Sequence, residues 1–223
     1  LISPTCWAPL IRHFLSLGIA VRAMYSEPSS YKLRLREDSL RAECSDSDVM
    51  DYEFYISNST EGNRPIPTFA SLLHTERDQK LPLVVFLGFE GWRVPRLLED
   101  LEFTVDPLIP VVGCPGYKID YPGFSVSANH YCLSNSKWFC HMRMTSARSP
   151  FAVVDLLEDL ACDVGRMCIA PLGTTPMLLG SVLYVIKHPT ASLVYDHPVR
   201  VHAGLDERGR TWVYDLSSFG NPT

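Results

Sequence analysis

The sequence predicts an α/β fold: a mostly parallel sheet with helices on both faces and a β-hairpin at the C-terminal end. Three observations carry this. Residues 82–87, 108–112 and 167–170 are short, continuous apolar runs, the pattern of strands buried on both faces. The stretches after them carry apolar residues at helical spacing, and Gly, Pro, Ser and Thr punctuate the junctions. Strands that alternate with helices need crossover connections, and crossovers make a parallel sheet.

The elements follow in order. Residues 8–17 put Leu10, Phe14 and Leu17 on one helical face, and Gly18 stops that helix. Residues 19–24 read as a strand that runs into Tyr25-Ser26-Glu27-Pro28. Residues 26–80 are polar and hold only short apolar runs such as 52–56, the composition of an irregular excursion. We therefore expect two parts: an α/β segment with this excursion over 1–80, and a main α/β domain over 81–223. Gly88 closes the first buried strand, and a helix follows with Pro95 near its first turn and Leu97, Leu98 and Leu101 periodic. The second strand closes at Gly113-Cys114-Pro115-Gly116, and 117–148 is aromatic and weakly periodic. Ser149-Pro150 marks a helix start, an N-cap hydroxyl before a proline at the first position, and that helix stops before Gly165. After the third strand, Pro171-Leu172-Gly173-Thr174 turns into a helix marked by Thr175 and Pro176, with Leu179, Val182, Leu183 and Ile186 as its apolar face. His188-Pro189 ends it, and 192–195 is the fourth strand. Residues 199–203 and 211–216, around a turn at 206–209, form the expected hairpin. Two helix–strand units end in Tyr-x-x-Pro, at Tyr25 and at Tyr195, a loose internal repeat. In the second unit a strand precedes the helix. In the first that strand would fall at or before Leu1, so the chain is expected to continue an upstream part.

Composition limits the function classes. With 223 residues, 46% of them hydrophobic, the chain can bury a core and is not disordered. A net charge of -5 argues against general DNA binding, which needs a basic face to displace counterions. No run of 18 apolar residues exists to span a membrane. Seven cysteines, an odd number with Cys114, Cys162 and Cys168 in apolar runs, read as reduced core residues of a cytoplasmic protein.

Ligands of an open parallel sheet bind beyond the carboxyl ends of its strands. The segments at those ends offer Glu27, Glu90, Arg93, Tyr117, Thr174, Thr175, Asp196, His197 and Arg200. Gly173, Thr174 and Thr175 sit where a glycine turn, hydroxyls and free helix amides would make an anion site. Gly88, Glu90 and Arg93 lie directly after a buried strand; Arg93 either pairs with Glu90 or holds a phosphate bidentately. Glu90, Asp196 and His197 are the candidate acid/base groups, and Arg200 a second anion contact. Cys114 is a poor nucleophile candidate, because Pro115 removes the next backbone N–H. His130, Cys132, Cys140 and His141 lack the spacing of a zinc site and read as core, so no metal or cofactor is expected.

The strand order and the Gly/Thr-rich helix start in residues 171–179 resemble the Rossmann-type ligand-sensing domains of bacterial defence systems, such as the CRISPR-associated Rossmann fold. The resemblance implies a Rossmann-like sheet whose strand-end loops read phosphate-bearing nucleotides. It transfers no site residue by residue. The leading expectation is a sensor or regulatory domain that recognises a small anionic, phosphorylated or nucleotide-like ligand at the strand-end loops. One alternative is an acid/base enzyme acting on an anionic small molecule. Another is a protein-interaction subunit of a bacterial defence-type complex, which packs 117–144 on a protein partner or on a second copy.

Overall fold

The computed structural model describes residues 3–29, 31, 33–35, 52–54, 56–69, 80–101, 104–134, 141–200 and 208–219. Helix α1 (Pro4–Ser16) opens the chain; the amide of Thr5 donates to the Ser3 hydroxyl, which stands at its N-cap. Ala8, Ile11 and Leu15 are its buried face, so the Leu10, Phe14 and Leu17 stripe points outward. Strands β1 (Arg22–Pro28), β2 (Leu33–Leu35), β3 (Tyr52–Phe54), β4 (Ser57–Thr60) and β5 (Arg64–Pro65) follow.

The main sheet is built from β6 (Lys80–Phe86), β7 (Thr104–Gly113), β8 (Arg143–Thr145), β9 (Cys168–Pro171) and β10 (Ser192–Tyr195), all parallel. Their spatial order is β10-β9-β6-β7-β8, with β5 antiparallel on the β10 edge. Numbered along the chain, the five run 5-4-1-2-3, the order of a doubly wound sheet that reverses direction between β6 and β9. The connecting helices are α2 (Arg93–Asp100), α3 (Tyr121–Ala128) with the single turn α4 (His130–Leu133), α5 (Pro150–Val164) and α6 (Thr175–Lys187).

Both faces of the sheet are buried, as the continuous apolar runs require. On one face Val84, Phe86, Ile109, Val111, Ile169 and Leu193 pack with α1, α5 and α6. On the other, Leu83, Val85, Leu108, Val112 and Ala170 pack with Val94 and Leu97 of α2 and with Leu133. Helix α6 has ten consecutive buried residues from Pro176 to Val185, more than a one-faced surface helix can bury. Helix α5 starts where Ser149-Pro150 predicts it: the Ala152 amide donates to Ser149 Oγ at 3.2 Å, and Gly165 ends it at φ +70.

Three expectations need correction. The C-terminal hairpin does not form between its two described strands. Strand β11 (Pro198–Arg200) pairs with β4, and β12 (Arg208–Asp215) pairs with β1, both antiparallel. Residues 201–207, which include the first half of the expected turn at 206–209, lie outside the described residues. The internal repeat divides in the same way: β1 belongs to a two-stranded ribbon and β10 to the parallel sheet. Finally, Cys6, Cys114 and Cys162 are exposed free thiols, whereas Cys168 is a core residue. Among the described residues, no helix is long and apolar enough to cross a membrane.

Candidate functional site

The sheet reverses between β6 and β9, so their following loops meet at its carboxyl end. They meet closely. A Cβ on Gly88 would stand 2.4 Å from the Leu172 carbonyl oxygen, which only a glycine tolerates. Two different sites occupy this end.

The first is a buried ion network. Arg93, on the first turn of α2, donates from Nε and Nη2 to the two carboxylate oxygens of Asp196, at 2.7 and 2.6 Å. Its Nη1 donates to the Leu172 carbonyl at 3.0 Å and lies 3.7 Å from Glu90 Oε2. Glu90 in turn accepts from the Ser57 amide at 2.7 Å and the Ser57 hydroxyl at 2.9 Å. Glu90, Arg93, Asp196 and Ser57 are all buried. Burial pushes the Glu90 carboxyl above its usual range, against the opposing pull of Arg93 and Ser57. Burial disfavours the Arg93 charge, but Asp196 and Glu90 more than offset this and raise its pKa. The network ties the loop after β6, α2, the turn after β9, the end of β10 and strand β4 to one guanidinium. The predicted Glu90, Arg93 and Asp196 are thus brought together, and they are saturated by one another.

His197 follows at φ +46, half-buried, edge-on to Tyr195 at 5.0 Å, its carbonyl accepting from the Glu61 amide. The side chain of Arg200 lies outside the described residues, although its backbone pairs in β11 opposite Ser57.

The second site joins the start of α6 to an aromatic cluster. Gly173 packs against Leu87 and Met177. Thr174 is the N-cap of α6, but its hydroxyl donates to the Ala147 carbonyl at 2.7 Å and caps nothing. Thr175 begins the helix half-buried, so the first turn of α6 has no side-chain cap. Next to Ala147, Arg148 donates from Nε to the Gly116 carbonyl at 2.9 Å, and its guanidinium lies over the Tyr117 ring at 6.0 Å. The Tyr214 hydroxyl donates to the Arg148 carbonyl at 2.6 Å.

From there a wall of rings extends. Tyr117 meets Tyr25 at 6.3 Å, and Tyr31, Phe89 and Tyr121 contact one another edge-on at 5.1–5.8 Å. Trp212 stands directly across the β1–β12 ribbon from Tyr25. Glu27, two residues beyond Tyr25, turns to the same side of β1. Two buried polar atoms in this group have no hydrogen-bond partner, Glu27 Oε2 and Trp212 Nε1, while the Tyr117 hydroxyl meets that of Tyr214. Burial pushes the Tyr117 phenol well up, with Tyr25, Tyr214 and Glu27 adding to the effect, and raises Tyr121 against the pull of Lys118. Tyr214 is pushed up to about 12, chiefly by burial.

Sequence reasoning placed Glu27 and Tyr117 at strand ends but missed Ser57, Arg148, Trp212 and Tyr214. The alternation of Trp212 and Tyr214 with outward neighbours in β12 is the signal that was available for two of them. Of the aromatic segment 117–144, Tyr117, Tyr121 and Phe124 are buried or half-buried, so these rings face inward. Among the described residues, no group of three metal-ligating side chains occurs. Compared with protein-family models, curated proteins and solved structures, the chain matches none.

Proposed function

We propose that the chain is a ligand-binding domain, a sensor or regulatory module, which takes a phosphorylated or nucleotide-like molecule at the carboxyl end of its sheet. The observation that carries this is the adjacency, through Ala147, Arg148 and Tyr117, of an uncapped helix start and an aromatic wall holding two unpartnered buried polar atoms. Helix amides favour an anionic group. Aromatic faces favour a flat ring, and unsatisfied buried polar atoms in a native protein call for a partner. The acid/base reading loses support, because Glu90 and Asp196 are engaged by Arg93 and Ser57.

A cytoplasmic setting fits the four free cysteines among the described residues. A role within a bacterial defence-type system is what the sequence resemblance implies, and the outward Leu10, Phe14 and Leu17 of α1 suit a protein partner.

The test is a thermal-shift screen against nucleotides and sugar phosphates. A ligand at 100 times its Kd stabilises the fold by about 2.7 kcal/mol. We expect at least one nucleotide to raise the Tm, and a Tm unmoved by every compound contradicts the proposal.

A further inference from the structure

We propose that Glu27 selects the base of the bound nucleotide, accepting a hydrogen bond from an amino group on the ring. This rests on the ligand-binding reading above and adds the specificity of that site.

The first ground is how the ribbon presents Glu27. Between the pairs Ser26–Thr211 and Pro28–Arg208, one residue of β1 faces two of β12, Gly209 and Arg210. Such a bulge re-aims the side chain opposite it, and bulges concentrate beside functional sites. Gly209 keeps the path clear, since a Cβ there would lie 2.7 Å from Glu27 Cγ.

The second ground is chemical. An ionised carboxylate only accepts hydrogen bonds, and a buried oxygen without a donor is costly. Glu27 Oε2 is in that condition, in a group whose Tyr117, Tyr121 and Tyr214 all feel its charge. A bound ligand can supply the missing donor. Either an organic cation or a base amino group would serve.

The third ground separates these two. The Tyr121 ring already carries Lys118 Nζ at 5.6 Å, and the Tyr117 ring carries the Arg148 guanidinium at 6.0 Å. Two cations and the start of α6 repel a further cation and attract a phosphate. A ligand with an anionic end and a neutral, donor-bearing ring satisfies both halves of the site.

The experiment is titration calorimetry of the full chain with AMP, GMP, CMP, UMP and IMP, for the wild type and for Glu27→Gln. We expect the tightest ligand to carry an exocyclic amine, and the amide variant to weaken it about 10- to 100-fold, the discrimination expected of a good side chain–base pair. UMP and IMP, which lack that amine, change less than about threefold. Gly209→Ala, which keeps the carboxylate but displaces it, gives the same selective loss and guards against a folding defect in the first variant. If the wild type binds nucleotides but both variants leave every affinity unchanged, or if UMP or IMP binds tightest, base selection by Glu27 is overturned while the ligand-binding reading stands. If no nucleotide binds the wild type, both fall together.

Discussion

Two carboxylates, Glu90 beyond a strand of the parallel sheet and Glu27 on the β1–β12 ribbon, meet opposite fates. Glu90 accepts from Ser57 on both oxygens and faces Arg93, while Glu27 leaves a buried oxygen with no donor. Each residue follows closely on a predicted strand, and each looks like a functional candidate by position alone. What separates them is satisfaction. A polar group whose hydrogen bonds close within the chain holds the fold together, whereas one left open has capacity for a further partner.

The largest effect should come from the closed region. Arg93→Met removes the one cation that, among the described residues, compensates Glu90 and Asp196 in their buried site. We expect a loss of about 3–5 kcal/mol in urea unfolding, the usual consequence of stranding buried charges. A loss below about 1 kcal/mol would mean that the network is not structural and would return Arg93 to the list of ligand contacts.

The open region should respond in the opposite sense. Trp212→Phe removes an indole N–H that has no acceptor and keeps a ring opposite Tyr25. We expect stability to stay level or rise by up to about 1 kcal/mol, because an unsatisfied buried donor is removed with little loss of packing. A drop of about 2 kcal/mol or more, read by the same unfolding curves, would show that Trp212 is an ordinary core residue.

This contrast also marks what a sequence of this kind reveals. The interior of the sheet was legible: 192–195 is a strand as read, and Ser149-Pro150 opens α5. Buried parallel strands and proline-marked caps are local signals. Strand β8 was missed because it is three residues long, with Arg143 and Met144 exposed. The C-terminal hairpin was misread because the partners of its strands, β4 and β1, are more than 100 residues away. The site shows the same division. Strand-end positions were visible, and so Glu90, Arg93 and Asp196 were picked out. Their mutual pairing spans 103 residues between Arg93 and Asp196, and Ser57 comes from the polar excursion, so no local pattern announces it. Whether a charge is satisfied is a property of the fold, which spacing alone does not carry.

The most direct test follows hydrogen–deuterium exchange with and without the tightest nucleotide from the calorimetric panel. We expect added protection at residues 24–29, 115–121, 173–178 and 211–214, with 57–60 and 195–198 unchanged. Protection concentrated at 57–60 and 195–198, with none on the β1–β12 ribbon, would contradict it, because the ligand would then sit on the ion network that the fold already closes.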